Sequence, residues 1–332
     1  MIKQAGFLAA AAVVLLLGGC SSKEYYVPQD TAGTWNMKGP LYAKIVDVTS
    51  DGAVLDNGKI MTSNAFLELT LTPKHRFISQ NRDWIISSTS DGNLSLHSVT
   101  NTQDPIAFDL KKTVAAASVN DDILAVLFAN NEMAIYSIAT KKLLFKEQGN
   151  APVAVDLRIV NPYFLKDLVL FLTLDGKIVI VNAKTKKVIR SMIVSSEPYF
   201  NNIVHFNVSG NTLIAATPYK VFSLVANEMR APYEVRDMVF KDDIIYLCTK
   251  QGDIVSLTPS LQKIASQKFE FAHFLGLIVT DKAVYALEKE GYLIALDKDL
   301  SHFKVYDIDL EEGLVYAAEK TFFVNSMFVK LQ

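Results

Sequence analysis

The chain has 332 residues, of which 33 are Lys or Arg and 35 are Asp or Glu, so its net charge at pH 7 is -2. The basic residues are scattered singly or in pairs and form no basic stripe, which argues against nucleic acid as a partner. Length alone would suggest about two domains, but all-β proteins of this size often form a single one.

The first 20 residues have the pattern of a bacterial export signal. Lys3 is followed by an apolar run from Phe7 to Leu17, which is too short to cross a bilayer as a helix. The run ends in Leu17-Gly18-Gly19-Cys20, which resembles the lipobox of bacterial lipoproteins. The resemblance implies that residues 1–19 are removed and that Cys20 receives diacylglycerol and an N-terminal acyl chain such as palmitate. The alternative is an ordinary secretory signal that happens to precede a cysteine.

The rest of the chain divides into a polar leader, residues 20–33, and a single domain, residues 34–332. The second cysteine, Cys248, lies in the apolar run of residues 244–248 and has no intramolecular partner once Cys20 is lipidated. We expect Cys248 to be a small buried hydrophobic residue, with a reactive thiol as the alternative.

After the leader, short β-type runs alternate with turn signals, and no segment has a convincing helical period. The clearest unit is an apolar run from Leu168 to Leu174, the turn Asp175-Gly176, and a second apolar run from Lys177 to Val181. Similar units place their turns at positions 58, 92, 131, 176, 219, 252 and 291, a period of 33 to 45 residues. This spacing is typical of the four-stranded blades of a β-propeller, so the predicted fold class is all-β.

Three more strands follow the seventh turn, at residues 313–317, 321–324 and 328–331. A strand from the N-terminal segment near Trp35 could supply the fourth, which would join the two ends of the chain and leave no open edge. The sequence therefore predicts eight blades. Seven blades remain the alternative, if the last segment instead completes the first sheet.

The segment from Gly176 to Lys187 is similar to the quinoprotein-like propeller repeat, and partial copies lie at residues 139–142 and 291–297. The resemblance implies a propeller that covers nearly all of the mature chain. In two copies lysine replaces the motif glycine, and the positions of the docking tryptophan hold other residues; these four departures are Lys141, Lys186, Phe145 and Arg190. The chain has only two tryptophans. These departures disfavour the enzymatic branch of the family.

A propeller that follows a lipobox resembles the BamB family of lipoproteins, which belong to the assembly machinery of outer-membrane β-barrels. The resemblance implies a non-catalytic scaffold whose central blades bind the barrel-insertion subunit. Ser21, directly after Cys20, implies export to the periplasmic face of the outer membrane; a position at the cell surface is the alternative. The segment from Glu147 to Pro152 is short compared with the binding loop of that family, so no binding residue is transferred from it.

The sequence contains no recognisable catalytic or cofactor-binding constellation, so we predict no catalytic residue, metal, cofactor or enzymatic activity. The five histidines, at positions 75, 97, 205, 273 and 302, form no ligand pair. The pairs Asp121-Asp122 and Asp242-Asp243 precede strands at equivalent places in two units, where acidic residues commonly form turns. A catalytic pair of carboxylates is the alternative.

Two segments place proline beside two aromatic residues, Asn161-Pro162-Tyr163-Phe164 and Glu197-Pro198-Tyr199-Phe200. The first is predicted between strands one and two of its blade and the second between blades, hence on opposite faces of the disc. We expect Pro198, Tyr199 and Phe200 to contact a protein partner, because exposed aromatic residues on rigid loops make good interface anchors. The alternative is that these rings fill the space between blades.

Three functions from different classes remain at this stage. The leading one is an envelope scaffold, anchored to the membrane through the lipid on Cys20. The alternatives are a quinoprotein-like oxidoreductase and a surface adhesin or ligand-binding propeller.

Overall fold

A computed structural model describes residues 24–63, 66–67, 69, 71–100 and 104–332. All regular elements of these residues are β-strands, and they form eight antiparallel sheets of four strands each. The ring has eight blades, so the prediction of a closed eight-bladed propeller is confirmed and the seven-bladed alternative is wrong.

Each of blades 1 to 7 uses four consecutive strands, and blade 8 combines the last three strands with the first. Blade 1 contains β2 (Ile45–Thr49), β3 (Gly52–Leu55), β4 (Ile60–Thr62) and β5 (Phe66–Leu67), and blade 2 contains β6 (Arg76–Asn81), β7 (Trp84–Ser88), β8 (Asn93–Ser98) and β9 (Ile106–Asp109). Blade 3 contains β10 (Val114–Asn120), β11 (Ile123–Phe128), β12 (Glu132–Ser137) and β13 (Leu143–Gln148), and blade 4 contains β14 (Tyr163–Leu165), β15 (Leu168–Leu172), β16 (Lys177–Asn182) and β17 (Lys187–Ile193). Blade 5 contains β18 (His205–Ser209), β19 (Thr212–Ala216), β20 (Lys220–Leu224) and β21 (Glu228–Pro232), and blade 6 contains β22 (Val235–Lys241), β23 (Ile244–Thr249), β24 (Asp253–Leu257) and β25 (Lys263–Lys268). Blade 7 contains β26 (Phe274–Val279), β27 (Ala283–Glu288), β28 (Tyr292–Asp297) and β29 (Phe303–Asp307). Blade 8 contains β30 (Val315–Ala318), β31 (Thr321–Val324) and β32 (Met327–Lys330), together with β1 (Lys38–Pro40).

The seven turns found in the sequence all connect the second and third strands of their blades. Six of them contain a residue with positive φ, such as Gly176 with φ of 80°, and the turn at Tyr219 forms without one. The turns between third and fourth strands have a similar requirement. Lys141 and Lys186, which replace the motif glycine there, adopt φ of 56° and 58°. The repeat geometry is therefore kept without glycine at these two positions.

The core lies between the blades, where the second and third strands bury apolar side chains toward both neighbours. Phe145 of blade 3, at the position of the missing tryptophan, is 9% exposed and stacks on Phe171 of blade 4 at 6.4 Å between ring centroids. Arg190, at the second such position, pairs instead with Glu228 of blade 5 at 2.6 Å. Eight sheets packed in this way bury enough apolar surface to dispense with a girdle of tryptophans.

The N-terminal segment closes the ring as predicted, because β1 pairs with β32 and becomes the outermost strand of blade 8. Just before it, Trp35 is 6% exposed and its indole N–H donates to the carbonyl of Lys330 at 2.9 Å. The described part of the leader, residues 24–33, also packs on the propeller: Tyr26 is buried against blade 7. The boundary at residue 34 stays a prediction.

Candidate partner-binding site

The loop with Pro198, Tyr199 and Phe200 lies in the connection between β17 and β18, as predicted. Tyr199 is 54% exposed and Phe200 is 45% exposed, so neither ring fills the space between blades. The alternative, that these rings fill the space between blades, is therefore wrong for this segment. Phe200 has φ of 50°, a left-handed conformation that is uncommon for an aromatic residue. Its backbone N–H donates to the carbonyl of Ala154 at 2.9 Å, which holds the loop against the preceding connection.

Two buried asparagines fix the loop to its surroundings. The side-chain amide of Asn201 donates to the carbonyls of Asp175 and Ser195, both at 3.0 Å, which ties the loop to the turn at Gly176. A Cβ on Gly176 would lie 2.4 Å from the amide nitrogen of Asn201, so this turn also requires glycine for space. The loop therefore lies on the same face of the disc as the turns between second and third strands.

Asn202 joins the loop to the connection between β13 and β14, and its side chain is completely buried. Its amide oxygen accepts the backbone N–H of Asp156 at 2.7 Å, and its amide nitrogen donates to the carbonyls of Asp156 and Arg158 at 3.2 and 2.9 Å. Three hydrogen bonds from one buried side chain hold the two connections as a single unit.

The connection between β13 and β14 adds exposed apolar side chains that the sequence analysis missed. Val153 is 76% exposed and Leu157 is 91% exposed. Together with the three predicted residues they form what we call the apolar patch: Val153, Leu157, Pro198, Tyr199 and Phe200. Its two connections, residues 149–162 and 194–204, are the two longest between blades. That length was the available signal, because long structured loops are often functional.

Polar groups of the 149–162 connection lie beside the starts of the first strands of blades 5 and 6. Arg158 forms two hydrogen bonds with Asp156, at 2.9 and 2.7 Å, and also donates to the carbonyl of Arg236. Burial acts to raise the pKa of Asp156, but the hydrogen bonds and charge of Arg158 outweigh it and hold the pKa below its usual value. Burial lowers the pKa of His205 to about 4, despite Asp237 at 3.4 Å, so this imidazole is neutral at pH 7.

The second aromatic segment is placed differently from the prediction. Tyr163 and Phe164 belong to β14, the first strand of blade 4, rather than to the turn between its first and second strands. The reason is that the 149–162 connection delays the start of the strand. Tyr163 packs against Phe206 of blade 5 at 5.4 Å, which confirms the packing between blades for this ring. Phe164 borders a groove with the turns of blades 2 and 3 at residues 80–82 and 120–121, so the two aromatic segments do lie on opposite faces.

The histidines and paired aspartates have structural contacts in the fold. His75 and His97 both approach the hydroxyl of Ser87, at 3.0 and 3.4 Å, a juxtaposition that their separation in the sequence concealed. Ser87 is completely buried. Asp122 accepts the hydroxyl of Ser137 at 2.8 Å and the N–H of Ala139 at 2.6 Å, which confirms its predicted role in a turn.

The described residues contain no group of three or more His, Cys, Asp or Glu side chains placed to hold a metal ion. Cys248 is completely buried, and burial raises the pKa of its thiol well above the ordinary value, so its predicted role as a buried hydrophobic residue is confirmed. Cys20 lies outside the described residues. Within the described residues, no helix has the length and hydropathy of a membrane span.

Comparisons with known proteins give a relative in sequence and several in fold. No family model matches the sequence. The plasminogen-binding protein PgbB from two Helicobacter pylori strains is 25% identical over 347 aligned residues, which cover 90% of this chain. The chain spans 64% of the length of these relatives.

Solved structures give the architectural comparison. BamB from Moraxella catarrhalis superposes with a TM-score of 0.67 at 12% identity, covering 89% of this chain and 98% of BamB. The C-terminal WD40 domain of Sif2 superposes with a TM-score of 0.64 at 10% identity, covering 90% of this chain and all of that domain. The chain is thus an eight-bladed β-propeller that shares its fold with BamB.

Proposed function

We propose that the protein is a non-catalytic, protein-binding scaffold, anchored by lipid on Cys20 at the periplasmic face of the outer membrane, that takes part in β-barrel assembly. The observation that carries the proposal is the apolar patch, which exposes Leu157, Tyr199 and Phe200 on connections held rigid by Asn202. Exposed apolar side chains grouped on a rigid support mark protein interfaces, because they give contact area at little cost in conformational entropy.

The fold similarity to BamB supports the choice of partner, which would be the barrel-insertion subunit of the assembly machinery. The lipobox at Leu17-Gly18-Gly19-Cys20 supports the location. An anchor would hold the propeller at a high effective concentration beside membrane-embedded partners, which favours binding even when the intrinsic affinity is modest.

Copurification from the native envelope tests the patch. We expect Tyr199→Ser with Phe200→Ser, and separately Leu157→Ser, to reduce recovery of the barrel-insertion subunit by tenfold or more. Tyr42→Ser is the matched control, because Tyr42 is 91% exposed in the connection between blades 8 and 1, opposite the patch across the ring. Equal recovery with the patch variants and the control would refute the proposed interface.

Fractionation tests the anchor separately. Cys20→Ala should leave the propeller folded and shift the protein from the membrane fraction to the soluble fraction. If the Cys20→Ala protein fully replaced the wild type in a deletion strain, anchoring would not be needed for function.

A second candidate function is binding of a host protein at the cell surface, favoured by the relatives named plasminogen-binding protein. The apolar patch would serve equally as such an interface. Binding of the purified protein to immobilised plasminogen, compared with the patch variants, distinguishes the two. Specific binding that the patch variants lose would favour this second function, whereas binding no stronger than to an unrelated immobilised protein would contradict it.

A further inference from the structure

The point at which the chain leaves the propeller is fixed by contacts of the leader. Tyr26 is 7% exposed and meets two rings edge to face, Phe269 in the connection between blades 6 and 7 at 6.0 Å and Tyr292 of blade 7 at 5.6 Å. Farther along, the N–H of Ala32 donates to the carbonyl of Val305 in β29 at 2.7 Å. The described part of the leader therefore begins at the seam of blades 6 and 7 and runs along the outer edge of blade 7.

A groove of about 1010 Å³ lies between the leader and this seam. It is lined by residues 25–32 of the leader, residues 267–271 and residues 303–305. Four of its apolar side chains are well exposed: Tyr25 at 62%, Val27 at 66%, Phe271 at 54% and Phe303 at 44%. The exposed ring of Phe303 meets the buried ring of Phe269 edge to face at 5.0 Å, so this side of the groove rests on packed aromatic side chains.

The charges around the groove balance. Lys268 and Lys304 line it together with Asp30 and Glu270. The groove therefore offers no net charge to attract a charged ligand or an anionic lipid surface. Its exposed chemistry is aromatic and aliphatic, which suits the interfacial zone of a bilayer, where Tyr and other amphipathic aromatic side chains concentrate.

Chain length places this groove beside the membrane if Cys20 carries lipid. Three residues lie between Cys20 and Glu24, the first described residue, and the four steps of a fully extended chain at about 3.6 Å each span at most roughly 14 Å. Tyr25 and Val27 follow at once. Among the residues that the structure describes, no other exposed apolar group is joined to Cys20 by so short a segment.

We propose that this groove is a membrane-contact surface, in which Tyr25, Val27, Phe271 and Phe303 enter the bilayer interface next to the lipid anchor and orient the propeller. The proposal rests on the anchoring part of the proposed function. It adds a fixed orientation, in which the seam of blades 6 and 7 faces the bilayer and the apolar patch, two blades away around the ring, stays free for a protein partner.

Fluorescence quenching in vesicles tests the contact. A chain starting at Cys20 is coupled through its thiol to a maleimide phospholipid in phosphatidylcholine vesicles; Cys248 is completely buried and so does not compete. Phe271→Trp is compared with Tyr42→Trp, each after subtraction of the signal of the unsubstituted chain, whose Trp35 and Trp84 also fluoresce, and bromine-labelled phosphatidylcholine serves as the quencher. We expect the tryptophan at position 271 to be quenched several-fold more than the one at position 42, with no dependence on salt or on added anionic lipid.

Equal quenching at the two positions would overturn the proposal, and so would quenching that appears only with anionic lipid at low salt. A groove that binds a protein segment instead would leave position 271 unquenched in vesicles and crosslinked to that protein in the envelope. Because the lipid is attached chemically, the result does not depend on whether the cell acylates Cys20. A protein that contacts the bilayer in this experiment but stays soluble in cells would refute the anchor and leave the contact surface standing.

Discussion

Asn202 gives the sharpest test of how the apolar patch is supported. Replacing it with alanine removes three hydrogen bonds and leaves the N–H of Asp156 and the carbonyls of Asp156 and Arg158 without this partner. Each such loss costs about 1 kcal/mol, so Asn202→Ala should lower the free energy of unfolding by about 3 kcal/mol. The same change should loosen the backbone that presents Leu157 and so weaken partner binding.

Equilibrium unfolding in urea, followed by circular dichroism, measures the first effect. Asn207→Ala is the matched control, because Asn207 lies five residues farther along the chain and is exposed, and its loss should change the free energy by less than about 0.5 kcal/mol. If Asn202→Ala cost no more than the control, the two connections would not be held together by this side chain, and the argument for a rigid patch would fail.

Three further predictions concern pH, turn geometry and ring closure. The pKa of His205 is about 4 in the fold against 6.5 for the free side chain, so the unfolded chain binds a proton more readily than the folded one as the pH falls. The free energy of unfolding should therefore fall by up to about 3 kcal/mol between pH 7 and pH 4. In urea titrations over this pH range, His205→Asn should make the free energy of unfolding depend less on pH. Gly176→Ala should lower the free energy of unfolding by more than about 2 kcal/mol, because its Cβ would overlap buried atoms. Gly58 also has a positive φ, of 81°, but open space around it, so Gly58→Ala should cost only about 1 kcal/mol. Comparable losses for the two variants would contradict the steric argument. Trp35→Ala should lower the free energy of unfolding by about 3 to 5 kcal/mol and speed hydrogen exchange in blade 8. Unchanged exchange in that blade would show that Trp35 does not help to close the ring.

The number of blades could be predicted because its signals are local. Six of the seven turns found between second and third strands carry a residue with positive φ, as at Gly176, and all seven lie between two apolar runs. The closure of blade 8 could be inferred as well, because three unpaired strands at the C-terminus needed a fourth. These features depend on neighbouring residues and on simple counting.

The candidate site was only half predictable. Proline beside two aromatic residues drew attention to Tyr199 and Phe200, but residues 153–157 are mostly apolar, as in a buried strand. Their exposure depends on Asn202, more than 40 residues later, which holds the segment outside the sheet. The approach of His75 and His97 to Ser87 likewise depends on strand register, which the sequence alone does not specify.

The packing of the leader was hidden by its composition. Residues 20–33 contain enough polar side chains to suggest a simple tether, but Tyr26 is buried at the seam of blades 6 and 7. Two adjacent tyrosines in a polar segment give no periodic pattern, so only the fold reveals which of them is buried.

Site-specific photocrosslinking in the native envelope tests the proposed function most directly. A benzophenone amino acid at position 199, within the apolar patch, should crosslink to the barrel-insertion subunit, whereas the same probe at position 42, across the ring, should not. Crosslinks from both positions alike, or crosslinks from position 199 only to proteins outside the assembly machinery, would contradict a scaffold role in outer-membrane protein assembly.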